Sequence, residues 1–346
     1  MARKSKHAGQ QSSQHSDQPA AYVLGIDVAK ATLDVALANT VGTTLASAQF
    51  ANDEAGFKQL RKWLQQHKAK QVHACLEATG RYGEPLAYYL YAQGYQVSIV
   101  NPARIHAYGQ SKLQRNKTDR QDARLIADFC ASQRPELWSP PPPEQRELHD
   151  LARRLAALKQ MRVQEENRLG AGVLAPGARR SIVQHIAFLT QQIAELEAAL
   201  NDHIDQHPSL QEQVDLLDSI PGIGPTTAYV ILGELPDITC FGDASQLAAH
   251  AGLTPAQRTS GSSVRGKTTL SKKGNARLRA ALYMPALSAS RSSPPFHAFA
   301  DRLRNNGKSK MAVIGAVMHK LIRVIYGVLK SRQPFDPNLY LTQLTP

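Results

Sequence analysis

The chain has 346 residues, 42% of them hydrophobic, with 41 Lys and Arg against 28 Asp and Glu for a net charge of +13. That length accommodates two or three domains, the apolar fraction excludes a disordered chain, and no unbroken apolar run approaches the roughly 20 residues that span a bilayer. Residues 251–346 hold sixteen of the bases against only Asp301 and Asp336, an asymmetry that points to a polyanionic partner, nucleic acid before a membrane surface.

Residues 1–20 are polar, lack the apolar block of a secretory signal and read as a disordered tail. Strand patterns follow in "YVLGIDVA", "ATLDVALA" and "GTTLASAQF". The stretch "NDEAGFKQLRKWLQQH" has Phe57, Leu60 and Leu64 on one helical face, with Asn52 or Asp53 as cap. "QVHACLEA" reads as a buried strand, "GEPLAYYLYAQG" as a helix and "YQVSIV" as a further strand; a helix opens near Asn101-Pro102 and another at Thr118. Three strands, helix, strand, helix, strand, helices make an α/β domain over residues 21–138. The cysteines, Cys75, Cys130 and Cys240, have no CxxC spacing, which argues against a zinc site or disulfide framework and fits a reducing cytoplasm.

The proline run in "SPPPPE" marks residues 139–143 as a stiff linker. In residues 144–207, Leu148, Leu151, Leu155 and Leu158 form one short heptad seam. "LGAGVLAPGARRS" interrupts it before Ile182, Ile186, Leu189, Ile193, Leu196 and Leu200 form a second. Such a coiled-coil-like pair forms a hairpin, joins two subunits or packs in the ordinary way against the chain's own domains. Residues 208–336 are mainly α and basic, and residues 337–346 form a tail.

Chemistry concentrates in the acids. Thr118-x-x-Gln121 has the form of a capping box, so Asp119 and Asp122 fall in the first turns of a helix and on one face. The helix dipole accounts for one of them, but two close carboxylates repel unless a cation lies between. Asp27 sits inside an apolar strand, where burial is costly without a partner. Glu77 ends another strand, whereas Asp34 and Glu84 read as solvated tips. Hard oxygen ligands suit magnesium or manganese, and two such ions about 4 Å apart clamp the attacking and leaving oxygens of a phosphodiester.

Asp27 in "GIDVAK", Glu77 in "LEATGRYGEPLAYYL" and the run "VNPARIHAYGQSKLQRNKTDRQDARLIA" resemble the RuvC-like DEDD domain of insertion-sequence transposases of the one-hundred-and-ten family. The likeness continues through "IPGIGPTTAYVILGEL", "AGLTPAQRTSG", "SKKGNARLRAAL" and "GKSKMAVIGAVMHKLI". It implies an RNase H-like fold, Asp27, Glu77, Asp119 and Asp122 as ligands of Mg2+ or Mn2+, and a serine nucleophile at Ser260, with Ser262 and Ser263 close by. It further implies a structured bridge RNA as guide, a homotetramer built as a dimer of dimers, and a prokaryotic, nucleoid-associated location.

"IPGIGP" has the shape of a helix-hairpin-helix turn, whose Gly222 and Gly224 would let backbone N–H groups approach a phosphate. Arg258, Arg265, Lys272, Lys273, Arg277, Lys308 and Lys310 are expected phosphate contacts, with little base specificity. Tyr229, Tyr283 and Tyr326 stand at helical spacing typical of core residues, and the twelve histidines show no metal-ligand spacing. The reading is therefore a DNA transposase or recombinase. Its rivals are a RuvC-like nuclease that uses water, and a non-catalytic nucleic-acid binder.

Overall fold

The structure, a computed structural model, describes residues 20–78, 80–112, 118–172, 175–256, 259–260, 264–265 and 269–338. The chain divides into two compact units, Met1–Pro140 and Pro141–Pro346.

The first unit is a mixed α/β sheet. Strands β1 (Tyr22–Val28), β2 (Thr32–Asn39) and β3 (Thr44–Ala51) lead to helix α1 (Glu54–Gln66). Then come β4 (Val72–Glu77), α2 (Glu84–Ala92), β5 (Gln96–Val100), α3 (Pro102–Ser111) and α4 (Asp119–Gln133). Asp53 caps α1, its side chain accepting from Gly56 N at 2.8 Å. The sheet order is β3-β2-β1-β4-β5, antiparallel among the first three strands and parallel from β1 through β4 to β5. Alternation along the strands gives the sheet two apolar faces. Leu24, Ile26, Leu33, Val35, Leu76 and Val97 meet Phe57, Leu60, Leu64, Leu86 and Leu90 of α1 and α2 on one side. Val23, Ala36, Ala38 and Cys75 meet Ile105, Ala123, Ile126 and Cys130 of α3 and α4 on the other. Both Cys75 and Cys130 are buried free thiols.

The second unit is mainly helical. Helices α5 (Pro143–Gly170) and α6 (Pro176–Asp205) run antiparallel. His203 near the end of α6 bonds the Glu144 carbonyl at 2.8 Å, and His185 near its start meets Glu165 at 3.2 Å. The expected break between the two seams shrinks to residues 171–175, because Pro176 is tolerated at the first turn of a helix and starts α6 at once. Helices α7 (Pro208–Asp218), α8 (Pro225–Glu234) and α9 (Ala244–His250) follow. Two small ribbons come next, β6 (Pro255–Ala256) with β9 (Thr269–Leu270), and β7 (Thr259–Ser260) with β8 (Val264–Arg265). Helices α10 (Ala276–Ala281), α11 (Tyr283–Ser292), α12 (Pro294–Asn305) and α13 (Lys310–Ser331) complete it. Leu148, Leu155, Leu189 and Leu200 of the hairpin share one core with Leu217, Ile231, Leu282, Phe296, Leu321 and Ile325, so the hairpin and the basic region pack as one body.

Helix α13 is the one helix among the described residues that needs a membrane test. At 22 residues it is apolar enough to cross a membrane by length and composition. Lys320 and Arg323 hide this from a search for unbroken apolar runs. It is the central helix of the second unit: Val317, Leu321, Ile322 and Ile325 are fully buried.

Candidate active site

Backbone register brings the acids together. Asp27 and Asp34 are directly opposite in the β1–β2 pair, and Gln49 of β3 is opposite Asp34. In the parallel β1–β4 pair Ile26 is level with Leu76, so Glu77, one step on, flanks Asp27 on its other side. The face that holds Asp27 also holds Gly25 and is the face covered by α4. A Cβ on Gly25 would collide with the Ala123 carbonyl oxygen and the Ala127 backbone nitrogen, so only glycine lets α4 settle onto the strand.

Helix α4 starts where the sequence predicts. The Thr118 hydroxyl accepts from Gln121 N at 3.3 Å, and Asp119 and Asp122 fall in the first turn. Only half of the expected capping box forms, because Gln121 Oε1 is buried without a donor. Burial pushes the Asp27 carboxyl up to about 6, reinforced by the charges of Asp122, Asp119 and Asp34 and opposed by a hydrogen bond from the Val28 backbone. Asp27 therefore feels the charges of Asp122, Asp119 and Asp34.

Asp34 is the correction here. It is 3% exposed and accepts from Gln49 Nε2 at 2.9 Å, where a solvated tip was expected. Among the described residues no three His, Cys, Asp or Glu side chains converge closely enough to hold an ion. Even so, an all-oxygen donor set with mutually repelling carboxylates and a donorless buried amide oxygen fits a hard divalent cation.

The second unit places Ser260 in β7, paired with Val264 of β8. Only the backbones of Ser260 and Arg265 are described; Arg258, Ser262, Ser263 and the tails 1–19 and 339–346 lie outside the described residues. Gly222 has φ +88°, and a Cβ there would reach the Pro285 carbonyl at 2.5 Å, so its missing side chain serves the packing of α11. Gly224 precedes α8 with open space on its Cβ side. Lys272, Lys273, Lys308 and Lys310 are exposed.

Arg277 is also exposed but lies 3.9 Å from Glu234, which the sequence reading passed over. Glu234, buried at the end of α8, takes two bonds from Arg153, at 2.7 and 3.0 Å, and one from Asn275 at 2.9 Å. An acid closing the apolar run "TAYVILGE" was its only signal. Tyr229 and Tyr326 pack against the core and donate to Asn201 and to the carbonyls of Phe241 and Gly242.

Residues 24–175 match the IS110 DEDD transposase family, and residues 214–301 match the IS116/IS110/IS902 transposase family. A pilin gene-inverting protein of Moraxella bovis is 34% identical over 320 residues, covering 92% of this chain and 98% of that protein. The transposase of insertion sequence element IS1328 from Yersinia enterocolitica is 28% identical over 217 residues, 54% of this chain and 61% of its own. An insertion element IS110 protein of 43.6 kDa from Streptomyces coelicolor is 30% identical over 150 residues, 43% of this chain and 36% of its own. A mixed sheet bearing clustered acids, joined to a basic helical unit and matched in this way, defines an insertion-sequence transposase or recombinase, an enzyme that acts on DNA. The chain belongs to the IS110 family of transposases.

Proposed function

We propose that this transposase cuts and joins DNA strands through Ser260, with Asp27, Glu77, Asp119 and Asp122 holding divalent magnesium, or manganese, at the scissile phosphate. The observation that carries the reading is the row of Asp27 and Glu77 on adjacent strands beneath the helix that brings Asp119 and Asp122. The sheet order, three antiparallel strands extended by two parallel ones, supports an RNase H-like core. When bound, the ions stabilise the charge on the attacking and leaving oxygens.

The Ser260 hydroxyl loses its proton and forms a bond to phosphorus. One phosphorus–oxygen bond to sugar breaks, and the freed sugar hydroxyl takes up a proton. The resulting phosphoserine keeps the strand for rejoining, which avoids a free end. The gene inversion named for the Moraxella relative, a rearrangement in which strands are cut and rejoined, supports this chemistry for the present chain. Lys272, Lys273, Arg277, Lys308, Lys310, Arg258, Arg265 and the Gly222–Gly224 turn hold phosphates without reading bases. Base pairing by a structured bridge RNA supplies the target sequence, and a tetramer made as a dimer of dimers is the working unit, in the prokaryotic cytoplasm at the nucleoid.

The test is an adduct assay with protein, magnesium, RNA transcribed from the flanks of the gene and labelled element-junction DNA. A DNA-linked peptide that contains Ser260 and disappears in Ser260→Ala is the expected result. Cleavage without an adduct sinks the serine mechanism and leaves a RuvC-like nuclease. No cleavage by the wild type, with binding retained, leaves a nucleic-acid binder.

A further inference from the structure

We propose that Arg153 is a positioning residue of the phosphate-binding face: by holding Glu234 it keeps Arg277 free to meet a nucleic-acid phosphate. The inference rests on the nucleic-acid reading above, not on the metal one, and adds to it a residue that touches no phosphate itself.

All of its parts lie within the second unit. Glu234, its side chain only 4% exposed, closes α8 beside the turn that leads from Lys272 into α10. Asn275 joins the two. Its Nδ2 donates to Glu234 Oε2 at 2.9 Å and to the Glu234 carbonyl at 3.3 Å. Its Oδ1 accepts from Arg277 N at 3.0 Å and from Leu278 N at 3.1 Å. One amide side chain therefore fixes where α10 starts and where the Arg277 side chain leaves the backbone. Lys272 takes φ +54° in this turn, and a Cβ on Gly274 would collide with the His250 carbonyl. A left-handed lysine persists only where its surroundings enforce it, and such strain gathers at ligand-binding segments.

Anchoring the turn on a buried carboxylate raises a problem of charge. Burial would raise the Glu234 carboxyl, yet the bonds from Arg153 and Asn275 hold it below its usual value, so it is ionised at neutral pH. Arg153 meets it with Nε on Oε1 at 2.7 Å and Nη2 on Oε2 at 3.0 Å, the two-pronged pairing that suits a carboxylate best. Arg277 Nη1 stands 3.9 Å from Oε1, beyond hydrogen-bond length, and its side chain is 62% exposed. Two arginines share one acid, and the geometry gives the acid to Arg153. Arg277 keeps its positive charge toward solvent. His149, pushed down by burial and then by Arg153, and His250, pushed down by burial, also face Glu234 and carry no charge to answer it. Without Arg153 the buried carboxylate would draw Arg277 in, because an uncompensated buried charge is costly, and the surface would lose a cation.

The experiment measures the affinity of the full chain for a fluorescent DNA duplex of arbitrary sequence, in chelator, across a range of salt concentrations. The pH is 8, where both imidazoles are uncharged. Each phosphate neutralised contributes about 0.9 to the slope of log K against log salt. Arg277→Ala is expected to lower the slope by about 1, and Arg153→Met to lower it equally. Arg153→Met combined with Glu234→Met removes the acid together with its partner, and a buried pair replaced by apolar residues leaves the fold intact. That double variant is expected to restore the wild-type slope. Arg153→Gln keeps an amide donor for the carboxylate and takes the place of Arg153→Met if the latter does not fold. If Arg277→Ala lowers the slope while the single Arg153 variant does not, Arg153 is structural and the proposal falls, with the nucleic-acid reading intact. If the double variant shares the loss, the missing charge is that of Arg153 itself and the proposal falls as well. If Arg277→Ala leaves the slope unchanged, Arg277 meets no phosphate, and that part of the nucleic-acid reading falls together with the proposal.

Discussion

Asp27 carries a charge that the fold alone resists. Its carboxyl rises from 3.8 to about 6, first through burial and then through Asp122, Asp119 and Asp34. A carboxyl raised on folding contributes stability that is fully present below its unfolded value and is lost as pH rises through the folded one. In chelator, therefore, the melting temperature of the wild type should fall relative to Asp27→Asn as pH rises from about 4 through about 6. Asp27→Asn should be the more stable protein at pH 8 while being inactive; equal melting temperatures across that range would contradict the assignment. Asp27, Asp119 and Asp122 stood out in the sequence because an acid in an apolar strand or a paired acid at a helix start breaks a local pattern, whereas Glu77, at a strand end, was singled out by the order of elements and the family resemblance. Asp34 breaks none: an acid in an alternating strand has an inward or an outward reading, and only the pairing with β1 and β3 decides between them. Gly222 shows the converse, since its value lies in a helix more than sixty residues away.

At the scale of elements, the sequence carried the order of the first unit through α4, since period-two and helical patterns alternate cleanly there. It did not carry the network centred on Glu234, which joins α5, α8 and the start of α10 over a separation of more than 120 residues. Burial alone would raise the Glu234 carboxyl, but hydrogen bonds from Arg153 and Asn275 and the nearby charges of Arg153 and His149 hold it below its usual value. A lowered carboxyl stabilises the fold above its unfolded value of 4.5 and ceases to do so as pH falls through the folded one. Arg153→Met, which leaves a buried acid without its cation, is expected to cost about 3 kcal/mol at neutral pH, with the loss shrinking toward pH 3. Chemical denaturation at the two pH values measures it. The small ribbon that carries Ser260 was illegible because two-residue strands show no period.

Over the whole molecule, charge divides as chemistry does. The acids proposed to hold metal lie in the first unit, and the excess of bases lies in the last hundred residues of the second. Binding by such a surface is governed by the release of counterions from phosphates, so affinity should fall steeply and uniformly with salt. Replacing Lys272 and Lys273 together by Ala is expected to reduce the slope of log K against log salt by about 2, equally for matched and unmatched DNA. A loss confined to one sequence would assign these lysines to base reading instead.

The seat of α4 on Gly25 sets a tolerance for anyone who would redesign this enzyme. Contacts between side chains can be retuned, because rotamers yield and neighbours refill space. Here a helix rests on bare main chain, and the contact has no adjustable part. Any side chain at that glycine would lift the helix that begins with Asp119 and Asp122 away from Asp27. Strand β1 is therefore the fixed datum from which the placement of these acids is measured, and variation belongs at its periphery, on the exposed positions of β3 or the outer face of the basic unit.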